Sequence, residues 1–144
     1  MTVEYFEFYR GNMTTGFDYF YGKQTQQGAF ILGTPKQMHL EPLDITDEKL
    51  IFDKQKPEPS LAKYNGLVRP MAFQWEPLTE HLLDEVRAWN LNYQGNVGSE
   101  NEEWGLRLKQ TESEHELRVW GLNDYPSNFE DVYQWLKTLT TGHL

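Results

Sequence analysis

The four histidines are the first residues to test for metal-binding or acid–base chemistry. They are His39, His81, His115 and His143, and no two of them stand at the spacing of a metal-binding motif such as H-E-x-x-H. His81 precedes Asp84 and Glu85 on a helical pattern, but that pattern places it on the polar face, where a solvated histidine is the commoner outcome. The sequence therefore predicts no metal site and no cofactor.

Other catalytic signatures are missing from the sequence as well. The chain has no cysteine, so it offers neither a thiol nucleophile nor a thiolate zinc site. It contains no G-x-S-x-G motif and no glycine-rich phosphate loop. Its 22 acidic residues could supply a carboxylate pair for glycoside hydrolysis, yet so many combinations single out none. From these motifs we predict a protein that is not an enzyme.

Charge is unevenly distributed along the chain. Residues 1–72 carry nine acids against eight bases, whereas residues 73–144 carry thirteen acids against five bases. The second half therefore holds a net −8 of the total −9. Such a field repels nucleic acid and favours a basic partner, although it also serves simple solubility. We predict no nucleic-acid partner, and no membrane partner because the longest apolar run is only Ala29–Leu32.

Three glutamates within the acidic half are candidates for partner binding. Glu100, Glu102 and Glu103 crowd a glycine-containing loop directly before a predicted strand. Glu76 and Glu80 are explained by the positive dipole at a helix N-terminus, but no dipole accounts for the loop glutamates. We therefore predict that these three residues form a surface for a basic protein.

Trp120 is the fourth candidate. It alternates with Leu117 and Val119 along a predicted strand, so its side chain should lie on the opposite face of the sheet. If that face is bare, Trp120 with Arg118 and Arg107 forms a binding surface; if the segment from Pro35 to Trp75 or a helix covers it, Trp120 belongs to a second core. Because exposed tryptophans are uncommon, we favour the covered arrangement.

The first secondary-structure elements that the sequence predicts are strands. Aromatic-rich stretches at residues 3–9 and 17–21, followed by residues 29–32, predict three strands joined as a meander. Residues 49–52 and 66–69 read as short strands, and the prolines between them predict an extended loop. Alternation at residues 104–109 and 117–121 predicts two further strands.

Two amphipathic helices complete the prediction. The first spans residues 77–93, with Pro77 in its first turn; its apolar stripe is Leu78, Leu82, Val86, Trp89 and Tyr93. The second spans residues 127–139, and Ser127 with Glu130 has the spacing of a capping box. Together the elements predict a single α+β domain over residues 1–144, with a mostly antiparallel sheet. The residues predicted to be buried are Leu82, Val86, Trp89, Leu106, Leu108, Phe129, Val132 and Leu136.

The closing segment carries a family resemblance. The stretch Trp104-Gly-Leu-Arg-Leu, followed by Gly121-Leu-Asn-Asp-Tyr-Pro-Ser-Asn-Phe, resembles a pattern in small uncharacterised proteins of Gram-positive bacteria. The resemblance implies a shared structural unit and brings no activity with it.

Two functions of different classes remain open from the sequence. The first is a non-enzymatic cytoplasmic binding protein, such as an immunity protein or inhibitor, that recognises a basic macromolecule. The second is a carbohydrate-binding module or a carboxylate-dependent enzyme acting on glycans. A buried carboxylate pair in a cleft beside exposed tryptophans would favour the second, and a convex acidic face the first. The oligomeric state is not encoded in any pattern that we recognise.

Overall fold

A computed structural model describes residues 3–12, 14–25, 28–37, 68–70, 74–98 and 101–141. Within these ranges the chain forms seven strands and two α-helices. In chain order they are β1 (Val3–Asn12), β2 (Gly16–Thr25), β3 (Gly28–Gln37), β4 (Val68–Pro70), α1 (Trp75–Val86), β5 (Asn92–Gln94), β6 (Glu103–Gln110), β7 (Leu117–Leu122) and α2 (Phe129–Thr141). The predicted strand at 49–52 and the proline-containing loop after it lie outside the described residues.

All seven strands join one sheet in the order β4-β3-β2-β1-β6-β7-β5. Neighbouring strands are antiparallel except β5 and β7, which are parallel. The predicted meander of the first three strands is confirmed, as is the α+β fold with a mostly antiparallel sheet and two helices. The first hairpin turns at Asn12, whose Oδ1 accepts hydrogen bonds from the backbone N–H groups of Thr14 and Thr15, which is the geometry of an Asx turn.

One face of the sheet and both helices enclose the core. The side chains of Phe6, Phe8 and Trp104 point to this face, which we call the helix face, and none of the three is exposed to solvent. Trp104 packs against the rings of five surrounding residues, which are Phe8, Trp89, Tyr93, Tyr125 and Phe129. All eight residues predicted to be buried are buried. Helical and strand periodicity located this core because apolar burial is what imposes both patterns.

The first helix is shorter than its apolar stripe predicts. It ends at Val86 instead of residue 93, and the chain then turns so that residues 92–94 form β5. Trp89 and Tyr93 still reach the core, since their rings lie 5.4 and 5.6 Å from that of Trp104. Pairing of Tyr93 with Gly121 of β7 replaces the helical hydrogen bonds that the periodicity predicted. Tertiary pairing thus overrides local periodicity here.

The predicted capping box at the second helix is wrong. Because Val132 N–H donates to the carbonyl oxygen of Asn128, the N-cap is Asn128 and not Ser127. Glu130 accepts a hydrogen bond from Arg10 Nη1 at 2.5 Å instead of reaching back to the N-cap backbone. The Asn128 side chain is occupied elsewhere: Nδ2 donates to the carbonyl oxygen of Glu85, and Oδ1 accepts from Trp89 Nε1.

No helix in the described part of the chain is both long and apolar enough to cross a bilayer.

Candidate functional site

Trp120 lies on the sheet face opposite the helices, which we call the second face. Its side chain is 37% exposed, so Trp120 itself is not enclosed in a second core, which was the arrangement favoured above. Arg118, on the same face of β7, is also exposed. Closer to the centre of the sheet, however, the second face is buried, as shown by Glu7 and Tyr19 at 2% and 3% exposure. Among the described residues, the β7 end of this face is therefore accessible and its centre is not.

The buried part of the second face holds an ion pair. Arg107 Nε donates to Glu7 Oε1 at 2.9 Å, and Nη2 donates to Oε2 at 3.0 Å. The Tyr19 hydroxyl adds a third hydrogen bond to Oε2 at 2.8 Å. Burial and the adjacent Glu7 charge raise the pKa of Tyr19 far above its ordinary value, so this hydroxyl remains a donor. Three hydrogen-bond donors thus satisfy the buried carboxylate of Glu7.

Glu116 belongs to the same network. It accepts hydrogen bonds from the Tyr5 hydroxyl and from Arg118, and Arg107 Nη1 lies 3.5 Å from its Oε2. Burial tends to raise the pKa of Glu116, but the hydrogen bonds and the two arginine charges outweigh it and lower the pKa below its usual value. Arg107 therefore binds two carboxylates and is unavailable to a ligand beside Trp120, contrary to the sequence prediction.

A second charged cluster lies at the end of the helix face. The Arg10 guanidinium sits above three rings, with its centre 4.7 Å from the ring centroid of Tyr133, 5.1 Å from Phe129 and 5.8 Å from Tyr125. Arg10 Nε donates to Glu102 Oε1 at 3.0 Å, and the hydroxyl of Tyr125 donates to the same oxygen at 2.5 Å. This cluster ties β1 to the start of β6 and to α2.

The predicted glutamate surface is not a single surface. Glu102 turns to the helix face, where it holds Arg10 and Tyr125, so it is not a free contact residue. Glu103 begins β6 opposite Leu122, and the alternation of the strand places it on the second face with Trp120. Glu100 lies outside the described residues. The structure thus brings Glu103 and Trp120 to one face and separates both from Glu102.

The sequence reasoning missed Glu7, Glu116 and Arg10. Glu7 stands between two core phenylalanines in a strand and Arg107 alternates with core leucines, so each was predictable as a second-face residue. Their pairing was not predictable, because it depends on β1 lying beside β6, one hundred residues away in sequence.

The exposed large apolar residues that the structure describes gather at the β5–β7 edge of the sheet. They are Leu91, Val97 and Trp120, exposed at 59%, 67% and 37%. The backbone N–H of Trp120 donates to the carbonyl oxygen of Leu91, and Asn92 is its register partner. We call Leu91, Val97, Trp120 and the strand β5 between them the edge patch.

Asn123 holds the loop that follows β5 in place. It adopts a positive φ of 53°, which asparagine tolerates better than most residues. Its Nδ2 donates to the carbonyl oxygen of Asn96 and to Asn101 Oδ1, and its Oδ1 accepts from the backbone of Glu102. Gly95 is required where this loop passes the backbone of Asn123, because a Cβ on residue 95 would lie 2.2 Å from the Asn123 carbonyl oxygen. The edge patch is therefore built on a fixed backbone.

A groove of about 570 Å³ lies between the end of α1 and the β6–β7 turn. Leu83, Leu108 and Leu117 supply apolar lining, and His115 and Glu116 lie at its polar side. Since Glu116 is already bound by Tyr5 and Arg118, this arrangement has no free carboxylate paired with the histidine. The ring of His81 packs 4.7 Å from that of Trp135, and the described residues contain no metal-ligand cluster.

Comparison of the chain with protein-family models, with curated proteins and with solved structures finds no match.

Proposed function

We propose that this chain is a non-enzymatic, cytoplasmic binding protein that recognises a basic macromolecular partner, in the manner of an immunity protein or inhibitor. The observation that carries the proposal is the edge patch. Its three exposed apolar residues lie at the same edge of the sheet, and one of them is a tryptophan, which is among the residues most enriched in the energetic centres of protein interfaces.

Charge supports a basic partner. Asp124 is exposed just beyond β7, and Glu103 shares the second face with Trp120. Both belong to the half of the chain that carries the net −8. Acids at the rim of an apolar patch steer a basic protein to it and act mainly on the association rate.

The state of the carboxylates supports binding over catalysis. A glycan-cleaving enzyme needs one carboxyl group held protonated as general acid and a second held ionised. Glu7 and Glu116 are instead both bound by Arg107, and the lowered pKa of Glu116 makes it unsuited to the role of the protonated acid. Such a pair is suited to holding β1, β6 and β7 together.

The test begins with capture of a partner from the native host on the immobilised chain, followed by association kinetics with that purified partner. Trp120→Ala should weaken binding by about thirtyfold, as loss of a central interface tryptophan does. The double variant Glu103→Gln, Asp124→Asn should slow association and flatten its salt dependence. The matched control is Glu112→Gln, Glu114→Gln, which removes two exposed acids from the turn between β6 and β7. A captured partner that is acidic, or one bound equally by the Trp120 variant, would refute the proposal.

One observation favours carbohydrate binding as a second candidate. Exposed Trp120 lies on the same face as exposed Arg118, and a flat ring beside a charged donor can stack on a sugar and bind its hydroxyls. Titration with a panel of oligosaccharides, followed by tryptophan fluorescence, tests it. Saturable binding that Trp120→Ala abolishes would favour this candidate over a protein partner.

A further inference from the structure

The strand β5 closes one end of the sheet, and no described strand lies on its outer side. Trp120 N–H donates to the carbonyl oxygen of Leu91, and Gly95 N–H donates to that of Leu122. In a parallel pair of strands, alternate residues of one strand form hydrogen bonds to the same neighbour. The backbone groups of Leu91, Tyr93 and Gly95 therefore face β7. The N–H and C=O groups of the two residues between them, Asn92 and Gln94, therefore point outward. Both residues are exposed, and no strand in the described ranges pairs with this side.

The outer edge of β5 also lacks the charged residues and prolines that keep many sheet edges apart. Residues 88–98 contain no charged residue and no proline. Natural edge strands are commonly protected by lysine, proline or a bulge, because unpaired backbone groups recruit other chains. Here the open edge is instead flanked by Leu91 and Val97, the two most exposed large apolar residues described.

The charges near β5 favour one kind of partner strand over another. Two acids lie near the Gln94 end of β5. Glu103 of β6 pairs with Leu122 of β7, which in turn pairs with Gln94. Exposed Asp124 follows Asn123, whose carbonyl oxygen lies beside Gly95. Arg118, the exposed base near the other end of β7, is bound to Glu116. A second copy of this acidic chain would bring like charges together, whereas an extended basic segment would not.

From this edge we infer that β5 accepts an extended, basic segment of a partner protein as an additional strand, through the outward N–H and C=O groups of Asn92 and Gln94. The inference rests on the proposed function and specifies its binding mode. The backbone pairing supplies register, Trp120 and Leu91 receive apolar side chains of the added strand, and Asp124 with Glu103 receives its basic residues.

The test uses a short synthetic peptide with valines in one half and lysines in the other, in both orders, added to the isotope-labelled chain and followed by NMR. The amide signals of Asn92 and Gln94 should shift with saturation. A peptide with glutamate in place of lysine, and one with every amide N-methylated, should not produce these shifts.

Two variants at one position separate backbone from side chain. Gln94→Pro removes the outward N–H at a site where an edge strand tolerates proline, and it should weaken peptide binding by about tenfold. Gln94→Ala keeps the N–H and should bind as the parent does. Thermal unfolding of both variants establishes that each is folded.

The outcomes distinguish this inference from the proposed function. If Trp120→Ala abolishes peptide binding and Gln94→Pro does not, strand addition is overturned and the edge patch remains a binding surface. Absence of shifts at Asn92 and Gln94 at millimolar peptide would overturn the inference, with the captured partner still testing the proposed function. If the chain dimerises with concentration and Gln94→Pro abolishes the dimer, the edge binds a second copy, and the inference of a basic partner segment is overturned.

Discussion

Arg107 donates two parallel hydrogen bonds to the buried carboxylate of Glu7, at 2.9 and 3.0 Å. This pair joins the central strand β1 to β6 across the second face, and Glu7 is only 2% exposed. Removing one member of such a pair leaves an ionised group buried without its partner, whereas replacing both with apolar side chains restores a consistent environment.

We therefore expect Arg107→Met to lower the free energy of unfolding by about 3 kcal/mol and the double variant Glu7→Met, Arg107→Met to recover much of that loss. Urea denaturation of the parent, the two single variants and the double variant measures the coupling. Arg87→Met is the matched control, since Arg87 pairs with Asp84 at an exposed site and should have little effect. Additive losses in the double variant would contradict the expectation.

The junction of the two helices gives a second prediction. Asn128→Ala should lower the free energy of unfolding by about 1–3 kcal/mol, because it leaves Trp89 Nε1 and the carbonyl oxygen of Glu85 without their partners. Ser127→Ala should change it by only about 0.5 kcal/mol, because Ser127 does not cap the helix. Thermal or chemical unfolding of the two neighbouring variants decides this, and the reverse ranking would restore Ser127 as the cap.

Stability in acid should depend on Glu116. Its hydrogen bonds and the arginine charges outweigh its burial and place its folded pKa below the ordinary value of 4.5. Its stabilising contribution is therefore complete above about pH 4.5 and is lost as the pH falls through the folded pKa. Glu116→Gln should flatten the acid side of the stability profile, and Glu112→Gln, which removes an exposed carboxylate, is the control. An unchanged acid slope in the Glu116 variant would refute this assignment.

Alkaline titration should reveal the tyrosines whose pKa is raised. Burial, together with the hydrogen bond to Glu116, raises the pKa of Tyr5 to about 12, and burial likewise raises the pKa values of Tyr9, Tyr19, Tyr125 and Tyr133. Since an unfolded tyrosine ionises near pH 10, the stability linked to Tyr5 is complete below pH 10 and is lost as the pH rises towards 12. Tyrosinate absorbance of the folded chain should lag behind that of the urea-unfolded chain. Tyr5→Phe should retain more stability at high pH, and superimposable titrations would contradict the shifts.

The packing of the helices on the sheet can be tested at Leu82 and Leu136, both with no exposed surface. Replacement of either by alanine should lower the free energy of unfolding by about 2–5 kcal/mol, through lost apolar burial and a residual cavity. Leu91→Ala, at a position 59% exposed, is the matched control and should have little effect. Losses below about 0.5 kcal/mol at both buried leucines would show that the helices do not pack as described.

The sequence by itself determined the elements whose period is imposed by apolar burial. Alternation in β6 and β7 and the helical stripes of α1 and α2 located the eight predicted core residues, because each pattern is local and its physical cause is the sheet or helix face that the residue occupies. The same local reasoning placed Trp120 on the face away from Val119.

Beyond the meander of the first three strands, only the tertiary structure decided which strands are neighbours, and everything specific to the candidate site follows from that. The pairing of β5 with β7 ended α1 at Val86 and exposed the edge patch, and the pairing of β1 with β6 brought Arg107 to Glu7. The pairing of β1 with β6 also brings Glu102 to Arg10, whereas Glu103 lies on the other face of the sheet. Such contacts join residues far apart in the chain, and their partners are selected by the global packing of the sheet, which no local period encodes.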